Sequence, residues 1–302
     1  MVSAGELAAL GAAVLGLVLV QMPWQTLYMM ATSESQVVCR RGMATCGDRW
    51  DGSTVGNPGR ALVPHFLQKM LLRRPSALIV VGPSEDPTRD LAFWTPLIWS
   101  TWTVILVDAN PYACYLLWEK YKSQKNVHVV NAILTDNSSE NSTVPFHMFS
   151  PKVAEEFPNV SVPILWYANS LNRSWLEDTH RLAREGRNAA LNTNFTAAEW
   201  EAMLRHVESV DVKTMTPAAL LERASVAPSA VDVLMTDAEG ADSEIVTAFL
   251  GVPSFAPKVI KFEYKIGDVL ATSHELMQRL HYQHGYTLAV ASEFDMMAMH
   301  EG

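Results

Sequence analysis

Val231-Asp232-Val233-Leu234-Met235-Thr236-Asp237 is a short, mostly apolar run closed by a carboxylate. A run of this length bounded by polar residues reads as a strand buried on both faces. The same pattern recurs on either side of it. Ala77-Leu78-Ile79-Val80-Val81 is closed by Gly82-Pro83, residues 103–107 by Asp108, residues 127–130 by Asn131 and residues 259–262 by Glu263. Helical patterns fall between the strands, at about 112–122, 241–250 and 274–284, and one more precedes them at 61–72 with Leu62, Phe66 and Met70 in step. Asn110-Pro111 opens the first of these as cap and first-turn residue. Residues 286–291 and 295–300 read as a final antiparallel pair. Strands apolar on both faces that alternate with helices predict the α/β class: a mostly parallel, seven-stranded, Rossmann-like sheet with helices on both faces.

Composition sets the outer bounds. The chain has 302 residues, 49% hydrophobic and 18% charged, with a formal net charge of −9. That length suits one large domain or two small ones, and a chain this apolar can bury a sizeable core. Lys and Arg are outnumbered and form no block, which excludes a nucleic-acid partner, because phosphate binding needs clustered cations. No repeat with a period of 20–50 residues is present.

The N-terminus carries no charged residue from Leu7 to Ala31, and residues 7–20 are wholly apolar. Two readings fit residues 1–31: a membrane anchor through residues 7–31, or a cleavable signal peptide. Arg40 and Arg41 follow the run and leave its orientation open. Residues 32–60 read as a stem, and 61–302 as the catalytic-type domain. Acceptor sequons stand at Asn137, Asn141, Asn159, Asn172 and Asn194. Five in one polar stretch predict a solvent-exposed, glycosylated insertion at about 138–202, on the luminal or outer side of a membrane. Its charged helical pattern suits a lid over a cleft. In such a compartment Cys39 and Cys46 could close a small loop. Cys114, among Tyr112, Tyr115 and Leu116, reads as a small buried hydrophobe. No spacing of His and Cys suggests a zinc site, so no metal is expected.

Ligands of an open parallel sheet bind outside the carboxyl ends of its strands. Asp108, Asn131, Asp237 and Glu263 all stand there, and Glu239 follows in the turn. Strand-end acids can also simply cap the next helix, an account that fits Asp237 better than Asp108, since Asn110 is the better cap. An acid at the end of the second strand is placed to accept hydrogen bonds from ribose hydroxyls, having acceptor oxygens and no donor.

Val233-Leu234-Met235-Thr236-Asp237-Ala238-Glu239-Gly240-Ala241-Asp242 resembles the hallmark turn of the FkbM-type S-adenosylmethionine-dependent methyltransferases. Val107-Asp108-Ala109-Asn110-Pro111, residues 126–132, residues 212–217, Ile260-Lys261-Phe262-Glu263 and Gly285-Tyr286 resemble further elements of that family, in the same order. The resemblance implies a methyltransferase fold that uses S-adenosylmethionine on a hydroxyl of a carbohydrate or other small acceptor. It implies cofactor contacts at Gly82, Glu85, Asp108, Asn131 and Asp237, catalytic roles for Asp237 and Glu239, and a substrate contact at Glu263. One of the catalytic acids would serve as general base if burial raised its pKa. The chain departs from the family at Gly82-Pro83-Ser84-Glu85-Asp86-Pro87, where a single glycine stands in the place of a glycine-rich loop. A luminal glycosyltransferase and a non-catalytic binding module on the same fold remain open beside the methyltransferase.

Overall fold

The computed structural model describes residues 37–39, 76–84, 102–136, 142–157, 171, 173, 197–264, 270–291 and 295–300. The uncharged run at 7–31, the helical pattern at 61–72, Glu85, Cys46 and all five sequon asparagines lie outside them. Among the described residues, no helix is long and apolar enough to cross a membrane.

The principal sheet is built from β1 (Val37–Cys39), β2 (Ala77–Val81), β3 (Thr103–Asp108), β4 (Val127–Asn131), β8 (Val231–Thr236), β9 (Val259–Glu263), β10 (Thr287–Val290) and β11 (Asp295–Met299). Its order is β1-β10-β11-β9-β8-β2-β3-β4. The five strands from β9 to β4 run parallel, in the register Ile79↔Ile105, Ile79↔Leu234 and Leu234↔Ile260 along the middle of the sheet. β11 is antiparallel to both β9 and β10, as the final pair in the sequence predicts. The seven strands read from the sequence are therefore present, and the short β1, from the stretch read as stem, adds an eighth against β10.

Period-two alternation along each parallel strand sends side chains to two separate cores. Ile79, Val81, Ile105, Val107, Leu234, Ile260 and Phe262 pack with α4 (Pro217–Arg223), α5 (Asp242–Leu250) and α6 (Leu270–Gln278). Leu78, Val80, Val104, Leu106, Val233 and Met235 pack on the other face with Leu117 and Tyr121 of α1 (Pro111–Tyr121). Helices thus cover both faces. Each fully buried Leu, Ile or Val contributes about 1.5–3 kcal/mol to the fold. Trp102 is buried just before β3 and belongs to the second core rather than to a pocket.

A second, three-stranded sheet was not legible as such in the sequence. β7 (Val207–Met215) pairs parallel with β5 (Ile133–Leu134) and antiparallel with β6 (Thr143–Phe149). β6 belongs to the stretch read as a polar insertion, along with α2 (Lys152–Glu156) and most of α3 (Ala197–Leu204). Ile133, Phe146, Met148 and Val212 of this sheet pack on Ala109 and Tyr112. The small sheet therefore braces the turn that leaves β3.

Candidate functional site

Chain order defines where a ligand can sit. From β2 the parallel strands proceed outward through β3 to β4, whereas β8 and β9 extend the sheet the other way. The order reverses between β2 and β8, and a crevice opens outside the carboxyl ends of strands at such a switch point. Gly82 and Asp237 are the first residues beyond those two strands.

Gly82 sits where the chain leaves β2, against the turn that leaves β8. Its N–H donates to Val107 O at 2.9 Å, and the N–H of Asp237 donates to Val81 O at 3.0 Å. Its φ is +72°, and a Cβ there would stand 1.8 Å from the carbonyl oxygen of Asp237. A side chain cannot occupy that space, so the single glycine of the altered loop is retained by contact between two backbones.

Asp108 ends β3 and is 9% exposed. One carboxyl oxygen accepts from Asn110 N at 2.8 Å and the other from Ser84 N at 3.1 Å. It thus ties the turn after β2, where Ser84 has φ +53°, to the turn after β3. Helix capping is the work of Asn110, whose Oδ1 accepts from Tyr112 N at 2.9 Å and Ala113 N at 3.3 Å. Asn131, at the end of β4, donates through Nδ2 to the carbonyls of Asp108 and Ala109, both at 2.9 Å. It stabilises the turn that carries Asp108 and sits at the surface. Cys114 lies buried beneath, its Sγ 3.3 Å from Asp108 O. Burial, and then the Asp108 charge, push its thiol up to about 12, so it is a packed thiol and no nucleophile.

The acids beyond β8 and β9 are arranged differently. Glu239 has φ +50° and Gly240 φ +105°, a tight reversal that folds the chain back on itself. Asp242, fully buried at the first position of α5, accepts from Ala238 N at 3.2 Å and so ties the reversal together. Asp237 is exposed and caps no helix; α5 has Ala241 at its cap, with no side-chain hydrogen bond there. Burial, then Asp237 and Asp242, push the Glu239 carboxyl up to about 8. Burial, then Glu239, Asp237, Asp242 and Asp295, push Glu263 up to about 10. Burial also raises Asp242. One oxygen of Glu263, Oε2, is buried without a hydrogen-bond partner. The nearby Lys261 is engaged with Asp295, at 3.4 Å.

The structure therefore brings Asp237, Glu239 and Glu263 into one crowded group and places Gly82, Asp108 and Asn131 in a second group across the switch point. Glu85 lies outside the described residues. Asp242 and Ser84 complete the two groups, although sequence reasoning gave neither a role. The signal for Asp242 was present: the Glu239-Gly240 reversal returns the chain so that the residue after Ala241 lies under the turn. Among the described residues, no three His, Cys, Asp or Glu side chains are arranged to hold a metal ion. Carboxyls raised to neutrality and beyond, at the carboxyl ends of two adjacent strands, are chemically suited to exchanging protons with a hydroxyl.

No protein-family model, curated protein or solved structure matches the chain.

Proposed function

We propose that the chain is an S-adenosylmethionine-dependent O-methyltransferase acting on a hydroxyl of a carbohydrate or other small acceptor in the secretory pathway. The observation that carries the reading is the pair of groups flanking the β2–β8 switch point, joined by the contact of Gly82 with Asp237. The doubly wound sheet with its closing antiparallel pair is the frame that the FkbM-type resemblance implies. The residues fit the cofactor chemically. Asp108, at the end of β3, carries the acceptor-only carboxylate that a ribose would need, and a cationic ligand would relieve the mutual repulsion of the carboxyls beyond β8 and β9.

When bound, the cofactor supplies a methyl group on a sulfonium centre. The chain's part is to bind, orient and move a proton. Glu239, raised to about 8 and ionised in a fraction of molecules near neutral pH, is in that form the base toward an acceptor hydroxyl. Glu263, protonated at neutral pH, is a hydrogen-bond donor to the same acceptor. Asp237, exposed beside Glu239, would contact the cofactor at the methyl-transfer end when it is bound. Alignment of donor and acceptor carries much of the remaining rate enhancement.

Calorimetric titration of the full chain with S-adenosylmethionine tests the reading, with a UDP-sugar plus manganese as control. Saturable binding of the methyl donor alone is expected. Asp108→Ala is expected to weaken it at least tenfold while circular dichroism stays native. Binding of the UDP-sugar instead would assign a glycosyltransferase. The second reading is a non-catalytic binding module, favoured by the way Asp108 already binds the N–H of Ser84. Donor binding without methyl transfer to any of a panel of glycosides would support it.

A further inference from the structure

Two of the four exposed large hydrophobic residues among those described stand on α1: Tyr115, 54% exposed, and Trp118, 52% exposed. Pro111, Tyr115, Trp118 and Lys122 follow one another at spacings of four, three and four, so they form a single stripe on the helix. The opposite face, with Ala113, Cys114, Leu117 and Tyr121, is buried on the sheet. Tyr112 stacks on Tyr115, ring centroids 6.3 Å apart. Lys122 lies 5.3 Å over the Trp118 ring and 2.6 Å from Glu119. Lys120 and Lys125 are exposed on the same helix and the turn after it. Residues 111–126 thus hold three lysines against one glutamate, on a chain whose net charge is −9.

We propose that this stripe rests in the headgroup region of an anionic phospholipid bilayer. Tyrosine and tryptophan have an apolar ring with one polar atom, which suits a boundary between hydrocarbon and water. Lys120 and Lys122 lie over the Tyr121 and Trp118 rings, so their stems cover apolar surface while their charges stay beside the stripe. The local surplus of positive charge on an acidic protein is complementary to the anionic lipids of a cytoplasmic leaflet, the side on which Arg40 and Arg41 would stay, so the proposal goes with that orientation of the 7–31 run and does not rest on the luminal reading. The stripe alone would bind weakly, because stable membrane attachment takes two signals. The uncharged run at 7–31 is available as the other.

Tryptophan emission of the full chain, mixed with vesicles of phosphatidylcholine and phosphatidylserine brominated on their acyl chains, tests the proposal. Trp24, inside the 7–31 run, is present in every variant and reports attachment by that run. The expected result is stronger quenching of the native chain than of Trp118→Phe, with the difference lost on brominated phosphatidylcholine alone. Phe preserves the exposed position, so folding is not at issue. Equal quenching of the two chains, or no quenching of either, overturns the proposal. Equal quenching together with dissociation of a dimer in the Tyr115→Ser variant, by sedimentation equilibrium, would assign the stripe to a second copy of the chain.

Discussion

The two ends of β8 carry acids of opposite character. At the amino end, Asp232 accepts from Lys258 Nζ at 2.8 Å and Ser76 Oγ at 2.6 Å. At the carboxyl end, Asp237, Glu239 and Asp242 crowd with Glu263, and the carboxyls of Glu239 and Glu263 are pushed upward. One strand thus has a matched acid at its start and mutually repelling acids at its finish. The matched end ties together the starts of β2, β8 and β9, and the mismatched end keeps protons that an ordinary carboxyl would release. Perturbed acids gathered where an α/β sheet binds ligands are the mark of a site, whereas a paired acid at the amino end of the same strand is structural.

Four substitutions break or sharpen this contrast. Gly82→Ala has the largest expected effect. Its methyl would meet the Asp237 carbonyl, and its φ is unfavourable for alanine, so a loss of about 4 kcal/mol is expected in urea denaturation. Asp232→Ala comes next. It leaves the ammonium of Lys258, 21% exposed, without its partner. A loss of about 2 kcal/mol is expected, with no change in methyl-donor affinity. Native affinity with lowered stability would place Asp232 outside the site; lowered affinity would erase the contrast.

The third substitution, Glu263→Gln, sharpens the comparison through pH. Glu263 binds its proton up to about pH 10 when folded, against an ordinary 4.5 in the unfolded chain. Glu239 does so up to about 8. Between those limits the unfolded chain holds fewer protons, so stability falls as pH rises from about 4.5 toward 8 and beyond. Glu263→Gln is expected to flatten that fall and to stabilise the protein by about 1–2 kcal/mol at pH 8, read from melting temperatures across pH 5 to 9. A steeper fall in the variant would refute the crowding. The smallest effect is expected from Asn110→Ala. It removes the cap of α1 at a cost of about 1 kcal/mol and leaves the pH profile of the carboxyl group beyond β8 and β9 unchanged.

Most of the principal sheet was legible in the sequence because its strands are buried on both faces. A run such as Ala77–Val81, with all five residues buried, has no polar position to disguise it. β6 and β7 were not legible for the opposite reason. Their exposed and buried residues mix, and β7 carries Glu208, Asp211 and Lys213, so the stretch reads as polar surface. The site was legible as strand-end acids at Asp108, Asp237 and Glu263. What spacing does not reveal is which acids would share a volume. Asp108 finds two backbone donors, one of them Ser84, which stands 24 residues away in sequence. Glu263 meets Glu239 across two adjacent strands. The first relation satisfies a charge and the second frustrates one, and the sequence writes both with the same kind of residue.

The short β1 has a consequence for reach. Val37 pairs with Ala289 at the edge of the sheet, far along the strand order from β4. Five residues, 32 to 36, separate Val37 from the end of the uncharged run at Ala31. A fully extended chain spans at most about 3.6 Å per residue, so that leash extends to roughly 20 Å, against roughly 100 Å for all of 32–60. Whatever holds residues 7–31 therefore holds the β10 edge of the domain close to it, and the crevice can turn about that edge but cannot wander from it.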